Sequence, residues 1–213
     1  MLDMNAMLKA LAARRPVFHS EADFQHELAW EIRSQGHPIR LEAPLPGSGK
    51  RHRLDILVPL GGRAVAIELK YKTREFRGSV RGEDFDLLSH SAPDIGRYDF
   101  LKDIELLERS VLAGADITAY SVLLTNDPAY WTRPRKSRPL DADFRIHDGA
   151  VIGGVLRWAS GASDGTKRGR EDAIRVRGPY ALQWARYSPP PELERENFGV
   201  FRYLLVSVTG GSA

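Results

Sequence analysis

The stretch Arg53–Lys72, RLDILVPLGGRAVAIELKYK, decides how this chain folds. Gly61-Gly62 interrupts two runs rich in aliphatic residues, and a Gly-Gly dipeptide suits the positive φ angles of a two-residue hairpin turn. Counting outward from that turn places Leu60 opposite Arg63, Val58 opposite Val65 and Asp55 opposite Glu68. Side chains alternate faces with period two, so Lys70 shares the face of Asp55 and Glu68. Leu54, Ile56, Val58, Val65, Ile67 and Leu69 form the opposite, apolar layer. The expectation is an antiparallel hairpin with one buried face and, on the other, two carboxylates beside an amine.

Like charges directly opposed across a sheet are destabilising unless something compensates them. Lys70 supplies one positive charge. A hard divalent cation would supply the rest, because Mg²⁺ is typically held by one or two carboxylates with waters and phosphate oxygens. Such an ion activates water and stabilises charge on a transferring phosphoryl group. The competing interpretation is an ordinary salt-bridged polar face.

Upstream of the hairpin, Ser20 is a good N-cap for a helix over residues 21–34 that ends at Gly36. Phe24, Leu28 and Ile32 form its apolar stripe, and the helical period places Glu21 inside that stripe with Gln25 at its edge. Glu21 either complements the helix dipole or faces the Asp55/Glu68 cluster, directly or through Gln25. Strands are expected at residues 39–43, 54–58 and 64–71. The polar stretch from Lys72 to Pro93 reads as a flexible excursion. A helix over 97–112 follows, with Phe100, Ile104 and Leu107 inward and Asp99 and Asp103 on a solvated face, and then a strand at 118–124. Beyond a basic loop at 130–142 and a glycine-rich loop at 161–169, strands are expected near 173–176, 180–187 and 201–208. A short helix over 2–13 precedes all of these.

The order helix with Glu21, strand, Asp55, hairpin, Glu68-Leu69-Lys70, helix, strand resembles the PD-(D/E)XK, or restriction-endonuclease-like, phosphodiesterase superfamily. The resemblance covers roughly residues 20–127. It implies an α/β (α+β) fold with an αβββαβ core, here followed by a β-rich C-terminal extension at 128–213 packed on the core of a single domain. It also implies Mg²⁺-dependent hydrolysis of nucleic-acid phosphodiesters, with Mn²⁺ as a substitute. In its terms Asp55 and Glu68 hold the metal with the Leu69 carbonyl as a further ligand, and Lys70 orients the attacking water or stabilises the developing charge. Glu21, rather than Glu27, matches the superfamily's helical acid. Leu54 stands where the superfamily's motif has proline.

Composition sets the outer limits. The chain has 213 residues, 42% hydrophobic and 28% charged, so a sizeable core is available and disorder throughout is excluded. Cysteine is absent, which excludes disulfides, thiol nucleophiles and cysteine-ligated metals. No apolar run reaches the ~18–20 residues of a membrane span, and the N-terminal residues lack the apolar stretch of a secretory signal, so a cytoplasmic protein with no membrane partner is expected. The net charge of +3 is too small to establish nucleic-acid binding, but its distribution is suggestive. Lys50, Arg51 and Arg53 enter the Asp55 strand, Lys72 leaves the Glu68 strand, and Arg133, Arg135, Lys136 and Arg138 crowd one loop. The expected partner is nucleic acid, DNA first, with room for a homodimer. Arg53 should lie opposite Lys70, two cations that a polyanion would hold together. The six histidines have no metal-site spacing, Gly47-Ser48-Gly49-Lys50 lacks the rest of a phosphate-loop pattern, and no Gly-x-Ser-x-Gly elbow exists. A non-catalytic nucleic-acid-binding or protein-interaction domain is the alternative, and a hydrolase of another phosphate ester is a third reading.

Overall fold

The computed structural model describes residues 2–45, 52–113, 116–135, 139–187 and 191–208. Helices α1 (Met4–Arg14) and α2 (Glu21–Ser34) come first, followed by strands β1 (Arg40–Pro44), β2 (Arg53–Leu60) and β3 (Arg63–Lys72). A hairpin, β4 (Phe76–Val80) and β5 (Glu83–Leu87), leads into α3 (Pro93–Leu112) and β6 (Ile117–Thr125). The remainder holds α4 (Pro128–Trp131), β7 (Val151–Leu156), α5 (Asp164–Lys167), β8 (Ile174–Ala181), β9 (Trp184–Arg186), α6 (Pro191–Glu194) and β10 (Arg202–Val208). The fold is mixed α/β. Among the described residues no helix is long and apolar enough to cross a membrane.

Six strands form the main sheet in the order β1-β2-β3-β6-β10-β9. All neighbours are antiparallel except β3 and β6. A parallel pair needs a long crossover, which the β4–β5 hairpin and α3 supply here. Within the C-terminal portion β10 pairs with β6 and β9 with β10, so both strands continue the main sheet.

Each face of the sheet has its own core. On one, Leu8 and Leu11 of α1 and Phe24, Leu28 and Ile32 of α2 bury against Ile56, Val58, Ile67, Leu69 and Val122. On the other, Phe100, Ile104 and Leu107 of α3 meet Ala66, Ala119, Leu123 and Leu204, with Ile174 and Val176 in the same cluster. Asp3 and Ser20 cap the first two helices by accepting the N–H groups of Ala6 and Asp23.

Three expectations are corrected. The excursion over 72–93 is an ordered hairpin whose Phe76, Val80, Phe85 and Leu87 join the α1/α2 core. Its turn, Arg81-Gly82, places both residues at positive φ, and arginine at the first position disguises the signal. The expected strand over 180–187 is two strands in two sheets, β8 pairing with β7 and β9 with β10, while β7 was not anticipated. Leu54, expected in one apolar layer with Ile56 and Val58, packs instead in the α3 cluster with Leu45.

Candidate active site

The β2–β3 register matches the hairpin expectation from Leu60↔Arg63 to Ile56↔Ile67 and stops there. On its other edge β2 stays paired with β1 beyond that point, Leu54 with Ala43 and Arg53 with Pro44. The strand therefore leaves β3 at Asp55, which frees the edge of β3 from Glu68 onward. Edge N–H groups away from water need acceptors. The Asp55 Oδ2 atom accepts the Leu69 N–H at 2.6 Å, and Glu21 Oε2 accepts the Tyr71 N–H at 2.7 Å. Two carboxylates thus reach the edge of β3 from different elements, Asp55 from the diverging strand and Glu21 from the first turn of α2. Gln25, one turn along α2, donates to the Asp55 carbonyl at 2.8 Å and to Glu42 at 2.9 Å.

Glu68 is 3% exposed and lies on the α3 face of the sheet. His52 Nε2 stands 2.7 Å from its Oε1 atom, and Lys70 Nζ is 2.6 Å from Asp103 Oδ2 of α3 and 3.2 Å from the Leu69 carbonyl. The expectation that Arg53 faces Lys70 fails. Arg53 is drawn to β1 with its strand and donates to the Glu42 carbonyl at 3.0 Å, while Lys70 finds its counter-charge on α3. Asp103 is not on a solvated face, being 8% exposed, and Asp99 pairs with Arg170 at 2.7 Å.

The electrostatics record an excess of buried negative charge. Burial pushes the Glu68 carboxyl up to about 8, against the opposing hydrogen bond from His52, and the charges of Asp103 and Asp55 push the same way. Asp103 is raised to about 6, chiefly by burial. Asp55 is raised by burial despite the Leu69 N–H and the Lys70 charge. Burial disfavours the Lys70 ammonium, but the charge of Asp103 and its direct contact overcome this and raise it, so Lys70 stays cationic. Three carboxyl groups therefore surround one lysine, with His52 at the rim, its pKa raised chiefly by the hydrogen bond to Glu68.

Asp55, Glu68 and the Leu69 carbonyl offer oxygen donors of the kind that hard divalent cations take. Among the described residues, no three His, Asp or Glu side chains are grouped as a metal cage, so a cation here would keep waters or substrate oxygens as remaining ligands. The outer positions are less concentrated. Lys72 lies 4.0 Å from Glu21, Arg133 and Arg135 are exposed beyond α4, and Lys50, Arg51, Lys136 and Arg138 lie outside the described residues. His52 and Asp103 were missed. Asp103 left a trace, three positions from Phe100 and beside Ile104, at the margin of the apolar stripe. His52 left none, because its partner is reached only through the path of the chain before β2. Comparison with protein-family models, with curated proteins and with solved structures returned no match to this chain.

Proposed function

We propose that this protein is a metal-dependent nuclease with a restriction-endonuclease-like core, hydrolysing nucleic-acid phosphodiesters, DNA first. The observation that carries the reading is the departure of β2 from β3 at Asp55, which leaves Asp55, Glu68, the Leu69 carbonyl and Lys70 together at one strand edge free of backbone pairing with β2. The order α2, β1, β2, β3, α3, β6, with the β4–β5 hairpin inserted before α3, supports the core assignment. Asp55, Glu68 and the Leu69 carbonyl would hold Mg²⁺, or Mn²⁺ in its place. The bound ion supplies an activated water and neutralises charge on the phosphoryl oxygens.

The protein's own groups divide the remaining work. Lys70 keeps its proton, so it acts as a fixed positive charge beside the reacting phosphate rather than as a base. Asp103 fixes where that charge sits. Glu21 and Gln25 hold the edge open, one bonded to β3 and the other to the Asp55 carbonyl.

One observation favours a second reading. Asp55, Glu21, Glu68 and Asp103 each already have a protein partner, as they would in a polar network that only seals a sheet edge within a binding domain. Cleavage assays separate the two. Asp55→Asn keeps an acceptor for the Leu69 N–H while removing the charge, so it should fold normally and lose Mn²⁺-dependent cutting of DNA and RNA. Equal cutting by wild type and Asp55→Asn would mark the activity as contamination and reject the nuclease.

A further inference from the structure

Beside the carboxylate cluster lie two cavities of about 340 and 260 Å³. Lys72 and His90 line both, so these side chains stand between two chambers of one trough. One chamber runs past Glu21 and Leu88, a leucine left 72% exposed, and the other past Ser91 and Tyr130. His90 Nδ1 accepts the Thr73 N–H at 3.0 Å, which leaves the ring proton on Nε2 as a donor. The other acids of the trough are occupied: Asp86 is 2.8 Å from Arg77, and Asp99 is 2.7 Å from Arg170. Among the described residues the one acid that Lys72 pairs with is Glu21, at 4.0 Å. Lys72 is two residues beyond Lys70 on the same face, a Cα separation of about 6.6 Å at normal strand rise. That spacing exceeds one phosphate group and suits two adjoining ones.

We propose that this trough binds single-stranded nucleic acid. The phosphate next to the scissile one sits on Lys72 Nζ and His90 Nε2, and a base lies against Leu88. Both chambers are near or below the lower limit of the about 300–1,000 Å³ typical of small-ligand sites, the scale of a nucleotide. A duplex, whose major groove alone is about 12 Å wide, does not enter them. The position of the scissile phosphate rests on the nuclease reading; strand binding does not.

The test is fluorescence anisotropy with labelled 12-nucleotide oligo(dT), oligo(U) and a DNA duplex, in EDTA so that nothing is cut. Wild type should prefer either single strand to the duplex. Lys72→Gln should weaken binding and make the log–log salt slope shallower by about 0.7. His90→Asn keeps an acceptor for the Thr73 N–H but loses the Nε2 donor, so affinity should fall about three- to tenfold with the slope unchanged. Thermal melting of each variant establishes that it is folded. No binding, a preference for duplex, or folded variants that bind like wild type would overturn the proposal. Strand binding that responds to both variants, without Mn²⁺-dependent cutting, would leave the trough standing and reject the nuclease. Cutting that persists while both variants bind like wild type would do the reverse.

Discussion

Two buried charge networks in this molecule are built on opposite plans. Around Asp141, 4% exposed, one carboxylate meets two guanidinium groups. Arg97 donates to Oδ2 through Nε and Nη2, and Arg145 donates to Oδ1 at 3.0 and 2.7 Å, so both oxygens are satisfied and the cations outnumber the anion. Around Glu68 three carboxylates share one lysine, and burial drives their pKa values up. The first network ties α3 to the chain after α4, and nothing further is required of it. The second holds more carboxyl groups than cations, and burial makes these groups keep their protons instead of ionising. A surplus of this sign is what a cation site would need and a brace would not.

The largest effect expected is on the brace. Asp141→Asn leaves Arg97, 3% exposed, without its counter-charge and should cost about 3–5 kcal/mol in chemical denaturation. Glu68→Gln should behave in the opposite way, leaving metal-free stability unchanged or raised, while Glu68→Gln and Asp55→Asn each cut metal-dependent turnover by at least about 10²-fold. If Glu68→Gln destabilised as much as Asp141→Asn, the two networks would be of one kind and the contrast would collapse.

Asp103→Asn sharpens it further. Asp103 acts through Lys70, so the variant should lower kcat about ten- to a hundredfold with KM little changed. A rise in KM alone would make Asp103 a binding residue.

pH provides a smaller, signed test. Glu68 holds its proton up to about 8 when folded, against 4.5 for its ordinary value, so across that window the folded chain carries a proton the unfolded chain has released. Stability then falls as pH rises, and Asp103, raised to about 6, works in the same direction at lower pH. In EDTA the Tm should drop by about 3–8 °C between about pH 5.5 and pH 8, Mg²⁺ should reverse the drop, and Glu68→Gln should flatten it. A Tm that rises over this range in EDTA would contradict the charge surplus. Smallest of all, neutralising Arg133 and Arg135 together should make the single-strand salt slope shallower by up to about 1.4; an unchanged slope removes that loop from the binding face.

What could be read from sequence follows from range. The turn at Gly61-Gly62 and the alternation of Val58, Val65 and Ile67 are local signals, and they specify the hairpin register to the residue. Ser20 and the Phe24–Leu28–Ile32 stripe likewise place α2, and with it Glu21. The divergence of β2 at Asp55 belongs to the assembled sheet, where β1 follows the other edge of β2 to Arg53 after β3 has parted from it, and no spacing within the hairpin records it. For the same reason the Lys70–Asp103 and His52–Glu68 pairs stayed hidden, since each joins residues brought together only by the assembled sheet and α3. The β4–β5 hairpin was obscured by charged outward positions around four buried apolar residues.

The most direct test of the account is a crystal soaked in MnCl₂ and measured at the manganese edge. The account predicts an anomalous peak bridging Asp55 and Glu68 beside the Leu69 carbonyl, absent in Glu68→Gln. A fully soaked crystal with no peak there, or with manganese elsewhere while cleavage persists, would contradict it.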